Sequence, residues 1–288
     1  MNQEFCFPGQ VALITGGNVG IGRITAIELA KKGFKVIIAG RSLDRTQPVL
    51  DHIKSLKVNE QAMFLPLDLA SLQSVRDCAQ LFLQLNLPLN LLINNAGVAG
   101  SRGLTKDGFE LTFGINHLGH FLLTQLLLVK MQSSGLSRVV TVSSRAHKRA
   151  AHIDWDALCQ PTSSWTGIRE YAVSKLANLL FSAELAKRVQ GTSISTYALH
   201  PGIVDTEIWR SAPDWVRSLI RLRGFLTPEE GARTTLHCAL HAPQQESGLY
   251  YADSKPVQPA PLGQNSKLAA ELWRQSEVWI QQNQNYDL

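Results

Sequence analysis

Tyr171 and Lys175 stand four residues apart in Tyr-Ala-Val-Ser-Lys, a spacing that puts two side chains on one face of a helix. A free phenol has a pKa of about 10, too high for proton transfer at neutral pH. A neighbouring ammonium favours the phenolate, so the pair is expected to exchange a proton with an oxygen on a substrate. Ordinary helix surfaces also carry such pairs, so the chemistry needs companions.

A second signal lies near the start of the chain. The apolar run Val11–Thr15 leads into Gly16-Gly17-Asn18-Val19-Gly20-Ile21-Gly22, and a helical pattern begins at Ile21. Glycines here let the backbone turn sharply and approach a pyrophosphate, whose charge then sits on the helix N-terminus. Thr25 stands where the third glycine of GxGxxG would fall, and a plain structural turn is the competing reading. After the second apolar run, an enzyme using NAD would carry an acidic residue for the ribose 2′-hydroxyl. Gly40 leaves that place empty and Arg41 follows it. A guanidinium can grip a 2′-phosphate through paired charge-assisted hydrogen bonds; otherwise Arg41 is a solvated residue at a helix start. NADP(H) is the expected cofactor and NAD the alternative.

Residues this far apart in sequence need a scaffold that gathers them. Val11–Thr15, Lys35–Ala39, Ala62–Leu67, Leu89–Asn94, Arg138–Ser143 and Ser193–Leu199 read as strands, several of them near-continuous apolar runs. Helical patterns fall between and after them: Ile21–Lys32, Leu43–Leu56, Leu72–Leu83, Phe109–Val129, Tyr171–Val189 and Pro228–His241, with a last one around Ser266–Ile280. Strand and helix in alternation predict an α/β fold, a doubly wound parallel sheet of about seven strands with helices on both faces. No repeat or linker divides the 288 residues, so a single domain spanning 1–288 is expected.

Composition bounds the function. The chain is 44% hydrophobic and 18% charged, which excludes a disordered or acidic-tail protein. Its net charge of +5 is spread without a basic block, so no nucleic-acid partner is expected. No apolar run reaches the length of a membrane span, and the first ten residues do not read as a secretory signal. Cys6, Cys78, Cys159 and Cys238 are scattered, as suits reduced thiols in a cytoplasmic protein. His117 and His120, and His237 and His241, have ligand-like spacing but no carboxylate or thiol motif to complete a metal site, and none is expected.

Taken together, the motifs resemble the classical short-chain dehydrogenase/reductase family. Thr15–Gly22 is similar to its TGxxxGxG cofactor loop, Asn94-Asn95-Ala96-Gly97 to its NNAG, and Tyr171–Lys175 to its YxxxK. The order and spacing agree from about residue 10 to residue 206. The resemblance implies a Rossmann fold and a cofactor site. That site would be built from Gly16, Asn18, Val19, Gly20, Ile21, Gly22, Arg41, Asp68, Leu69, Asn95, Ala96 and Gly97, with Tyr171, Lys175, Pro201, Gly202, Val204 and Thr206. It implies catalytic roles for Asn116, Ser144, Tyr171 and Lys175. Ser144, with Ser143 as the fallback, would stabilise the oxyanion as hydride adds; Lys175 would also hold the nicotinamide ribose, and Asn116 would support a water relay.

The phrasing at 116–124 and 138–147, and Leu-Trp at 272–273, resembles the retinol dehydrogenase-like branch. That branch commonly carries an N-terminal membrane anchor, and no such stretch opens these residues. The expected activity is interconversion of a carbonyl and an alcohol on a lipophilic small molecule. A catalytically silent NADP-binding scaffold is the competing reading, which the intact Ser, Tyr, Lys and Asn set opposes.

The segment 204–226 would form a substrate lid. Within it Trp215, Val216, Leu219, Ile220 and Leu222 share a helical arc opposite Arg217 and Arg221, a pattern that also allows peripheral membrane contact. Leu118–Val129 would be a core helix or the face of a homo-oligomer, dimer or tetramer. Trp155 and Trp165 lie in a long segment between Ser144 and Tyr171, where either a functional loop or core filling is expected.

Overall fold

The computed structural model describes residues 7–57, 62–202 and 226–282. Val11–Thr15 form β1, with all five residues buried. Val11 and Leu13 point into one apolar layer, Ala12 and Ile14 into the other, as period-two side chains must when both faces of a sheet are covered. The strands β2 (Lys35–Gly40), β3 (Met63–Pro66), β4 (Leu91–Asn94), β5 (Ser137–Val142) and β6 (Ile194–His200) follow. Two short strands, β7 (Tyr250–Ala252) and β8 (Lys255–Pro256), complete an eight-stranded sheet of order β3-β2-β1-β4-β5-β6-β7-β8.

All neighbours pair in parallel except β7 and β8. That last pair is a hairpin turned by Asp253 and Ser254, at φ of 51° and 59°. Positive φ at both central residues is the geometry of a type I′ turn. No Asn-Gly signal marks it, and β7 and β8 have no counterpart among the six strands named from sequence.

Helices α1 (Gly20–Lys31), α2 (Leu43–Ser55) and α7 (Pro228–Leu240) cover one face. On the other lie α3 (Leu72–Gln84), α5 (Gly119–Ser133), α6 (Ile168–Arg188) and α8 (Ser266–Gln282). The chain reverses its direction of winding between β1 and β4, so the loops after those two strands face each other across a crevice, the place where open α/β sheets bind ligands.

The helix expected over Phe109–Val129 is interrupted. A short α4 (Leu111–Phe113) runs into a π-turn, Gly114–Leu118, before α5 resumes. Such one-turn π insertions re-aim side chains and recur at functional sites. Gly114 allows it, because a Cβ there would lie 2.3 Å from the Thr105 side chain. The stretch Leu118–Val129 is largely buried, with Val129 exposed at its end.

Aromatic residues of α8 roof the π-turn. Trp273 stacks on Phe181, and Trp279 meets Phe109 and Phe113 edge-on. Trp155 joins this layer beside Trp279, whereas Trp165 is exposed. Of the two roles open for that pair, core filling is thus what Trp155 does. Among the described residues no helix is long and apolar enough to cross a membrane.

Candidate active site

The glycine loop is built by close approach. Gly16 and Gly20 have φ of 66° and 53°, where a side chain is strained. A Cβ on Gly22 would lie 2.3 Å from the Gly16 carbonyl oxygen and 2.5 Å from Asn95 Nδ2. Asn95 holds the loop from beneath, donating from Nδ2 to the carbonyls of Thr15 (2.9 Å) and Gly16 (3.2 Å).

The helix that follows differs from its neighbours. Ser42, Ser71 and Thr227 cap α2, α3 and α7 with side-chain hydrogen bonds. At α1 the cap is Val19, which offers no acceptor, and the first turn carries no acid. Free N–H groups and the positive end of the helix dipole therefore face the crevice, a setting for an anion.

Thr15 ties both crevice loops together. Its Oγ1 accepts from the amides of Asn95 and Ala96, each at 3.0 Å. It also lies 2.8 Å from His120 Nε2. His120 Nδ1 is 3.0 Å from the Asn116 carbonyl, which can only accept. The imidazole therefore carries its proton on Nδ1 and takes the Thr15 hydroxyl proton on Nε2. Burial pushes its pKa down to about 4, in keeping with a neutral ring.

Asn116, in the π-turn, has its carboxamide locked on the loop after β4. Oδ1 accepts from the Val98 amide (2.8 Å), and Nδ2 donates to the Val98 carbonyl (2.9 Å) and to Ser174 Oγ (3.0 Å). Gly97 sits against this group: a Cβ there would lie 3.1 Å from Asn116 Oδ1 and 3.4 Å from Lys175 Nζ.

Tyr171 and Lys175 are both buried on α6. Lys175 Nζ donates to the Val142 carbonyl (2.9 Å) and lies 5.6 Å from the centre of the Tyr171 ring. Burial without a carboxylate partner lowers the Lys175 pKa to about 7. The phenol does not follow the expectation that the cation would depress it. Burial pushes Tyr171 up to about 12, opposed by a hydrogen bond with Ser144. The desolvation cost of a phenolate exceeds the pull of an ammonium that is turned toward a carbonyl.

The two serines part company. Ser143 is fully buried and donates to the Lys175 carbonyl at 2.6 Å, knitting β5 to α6. Ser144 is half-buried, accepts from the Ala146 amide (3.1 Å), and meets the Tyr171 hydroxyl. Of the pair, Ser144 is the one placed beside the phenol. Asn116, Ser144, Tyr171 and Lys175 thus lie along the C-terminal edge of the sheet, Ser144 against Tyr171, Lys175 on the end of β5 and Asn116 bonded to Ser174 of α6.

The remaining sequence-derived candidates lie along the same edge. Arg41 is exposed after β2, and Gly40 has open space where a Cβ would be. Asp68 follows β3, accepts from the Ala70 amide and is 3.7 Å from Lys106, while Leu69 packs against Gly119. Ala96 lines the loop against Gly16. Asn18 and Ile21 belong to the glycine turn and the first turn of α1. Pro201 and Gly202 follow β6, Gly202 at φ 90° with Leu226 close by. Val204, Thr206 and all of the expected lid except Leu226 lie outside the described residues. Among the described residues no group of three or more His, Cys, Asp or Glu side chains could hold a metal.

The sequence motifs do not single out His120 as a partner of Thr15. His120 is signalled only by standing four residues after Asn116 in a helical stretch, the spacing at which a side chain reaches back to a carbonyl.

A nucleotide-cofactor crevice with a Ser-Tyr-Lys cluster at its mouth defines a class of oxidoreductase, and comparison with known proteins agrees. Residues 10–155 match the short chain dehydrogenase family model. The chain is 42% identical over 274 residues to dehydrogenase/reductase SDR family member 13 of Bos taurus, covering 93% of this chain and 72% of that protein. It is 43% identical over 274 residues to retinol dehydrogenase 12 of Mus musculus, covering 93% and 85%. An uncharacterised protein from Mycobacterium paratuberculosis superposes with a TM-score of 0.76 at 32% identity, covering 96% of this chain and 95% of that one. The chain belongs to the short-chain dehydrogenase/reductase family, oxidoreductases that use a nicotinamide cofactor.

Proposed function

We propose that this protein is an NADP(H)-dependent oxidoreductase that interconverts an aldehyde or ketone and the corresponding alcohol on a lipophilic small molecule. The observation that carries the reading is the meeting of Ser144 and Tyr171 over the buried Lys175, at the mouth of the glycine-lined crevice. The cofactor fits on three features of the chain. These are the uncapped start of α1, the loop whose approach a Cβ on Gly22 would block, and the buried ammonium of Lys175 beside Gly97. When bound, the nicotinamide supplies or takes up the hydride.

The chain's own residues manage the oxygen and its proton. The Ser144 hydroxyl donates to the substrate oxygen and steadies the charge that develops there. Tyr171 gives its proton to that oxygen in reduction and takes it back in oxidation. Lys175 holds the nicotinamide ribose; an anionic ligand beside it favours its protonated form, which in turn eases ionisation of the phenol. Asn116 anchors the loop after β4 and so supports a water relay toward solvent.

Gly40 and Arg41 support NADP(H) over NAD(H), since no carboxylate stands at the end of β2 to meet a 2′-hydroxyl and to repel a 2′-phosphate. Arg41→Ala is expected to weaken NADPH binding by about 1.5–3 kcal/mol, the worth of a hydrogen bond to a charged group. NADH binding should hardly change. Calorimetric titration of both cofactors on both proteins checks this, and equal affinities in the wild type would remove the preference.

The lipophilic substrate class is supported by the relative named retinol dehydrogenase 12. A turnover screen of retinoids, steroids, aliphatic aldehydes and aromatic ketones, with each cofactor, tests the whole reading. Turnover confined to NADH, or to polar substrates alone, would overturn it.

A further inference from the structure

Ser144 is held by an imidazole that plays no part in the reaction described above. His147 is the wholly buried residue of the turn Arg145–Arg149 that Ser144 caps. Its Nδ1 lies 2.7 Å from the Ser144 carbonyl and its Nε2 3.1 Å from the Ala260 amide nitrogen. A carbonyl only accepts and an amide only donates, so the proton must sit on Nδ1. The Tyr250 ring meets the imidazole edge-on at 5.2 Å, and burial holds its pKa below the usual value.

This bond closes a circuit. Ala260 precedes the turn Pro261–Gln264, in which a Cβ on Gly263 would lie 3.0 Å from Leu179 of α6. That turn therefore rests on the helix that carries Tyr171 and Lys175. From α6 the path runs through Gly263 and Ala260 to His147, then to Ser144, and back to α6 at Tyr171. Within it the Ala146 amide occupies one lone pair of Ser144 Oγ, and His200 Nδ1 receives the Arg145 amide at 3.4 Å. With these contacts the hydroxyl keeps one donor and one acceptor site for Tyr171 and a substrate oxygen. We propose that His147 is a positioning residue, which locks the Ser144 hydroxyl in its reactive orientation by bridging the Ser144 carbonyl to the Ala260 amide. This rests on the role given to Ser144 above.

Two substitutions break the bridge from opposite ends. His147→Phe keeps a flat ring and removes both nitrogens. Ala260→Pro removes only the amide hydrogen, and Ala260 already has φ −58°, which proline accepts. Turnover is measured with NADPH on all-trans-retinal and on nonanal, in wild type, both variants, Ser144→Ala and the Ser144→Ala/His147→Phe double variant.

The expected result is a 10- to 100-fold fall in kcat for His147→Phe and a smaller fall for Ala260→Pro, with the Kd for NADPH unchanged within twofold. His147→Asn, which can still donate to the Ser144 carbonyl, should recover part of the loss. The double variant should be no slower than Ser144→Ala, because a residue acting through the hydroxyl has nothing left to orient. In nitrogen-15 NMR the His147 ring should show the Nδ1–H tautomer in the wild type, with a shifted Nε2 resonance in Ala260→Pro.

A loss from His147→Phe that persists in full in the Ser144→Ala background would overturn the proposal, as would an Nε2–H tautomer in the wild type. If Ser144→Ala and Tyr171→Phe leave turnover unchanged, or neither aldehyde is reduced by the wild type, it is the proposed function that fails. The tautomer and the Ala260→Pro shift then still decide whether the bridge exists.

Discussion

At the scale of single residues, neighbouring hydroxyls have been given different work by their partners. Ser143 donates to a carbonyl that also accepts within its helix, so Ser143→Ala loses one buried hydrogen bond and should cost about 0.5–1.5 kcal/mol of stability. Its effect on kcat should be small. Ser144→Ala should do the reverse, lowering kcat by about 2.7–4 kcal/mol of transition-state stabilisation, the loss typical of an oxyanion donor. Its urea midpoint should hardly move. Tyr171→Phe removes the transferable proton and should abolish most turnover while NADPH still binds. Chemical denaturation and steady-state kinetics on the three variants check the set; loss of kcat on Ser143→Ala in place of Ser144→Ala would reverse the assignment.

At the scale of elements, α1 is the informative one. Its neighbours α2, α3 and α7 spend a serine or threonine on their first-turn amides, and α1 leaves them free. Val19 already has the extended backbone of an N-cap, at φ −143° and ψ 161°. Val19→Asp should therefore cap the helix and stabilise the cofactor-free protein by about 0.5–2 kcal/mol. It should also weaken cofactor binding severely, since a carboxylate then occupies the place meant for a pyrophosphate. Urea unfolding and cofactor titration on one preparation test both halves. A variant that is more stable and binds cofactor as before would show that the start of α1 is not the phosphate site. Gly22→Ala should lose binding too, by forcing the Gly16 carbonyl and Asn95 apart.

At the scale of the whole molecule, burial depresses the proton affinity of several basic groups among the described residues. Burial lowers His117 to about 3, His120 and His200 to about 4, and Lys175 to about 7. In the unfolded chain the imidazoles take up protons below about pH 6.5 and the lysine below about 10.4. Between each folded value and its unfolded one, unfolding binds a proton, so stability falls as pH falls through that window. The histidine window runs from about 6.5 down to about 4, and each group contributes up to ~1.4 kcal/mol per pH unit there. The urea midpoint should therefore drop steadily between pH 7 and pH 4.5. A flat profile would mean that these rings are solvated.

What sequence alone settled follows from interactions that are local or periodic. Near-continuous apolar runs wrote the parallel strands, glycines marked the turn after β1, and three motifs in order and spacing pointed to the family. Tertiary structure decided whatever depends on partners distant in the chain. The strand β7 is three residues that exist because β6, some 50 residues earlier, offers a free edge. The break at Asn116 needs Thr105 against Gly114 and the aromatic roof from α8. Folding likewise sets Ser143 against Lys175's carbonyl and Ser144 against Tyr171, a difference two adjacent serines do not show in sequence. The phenol's proton affinity departed from expectation for the same reason. Spacing on a helix reports that a cation is near, but only the packed interior sets how much water each group has lost and where the ammonium points.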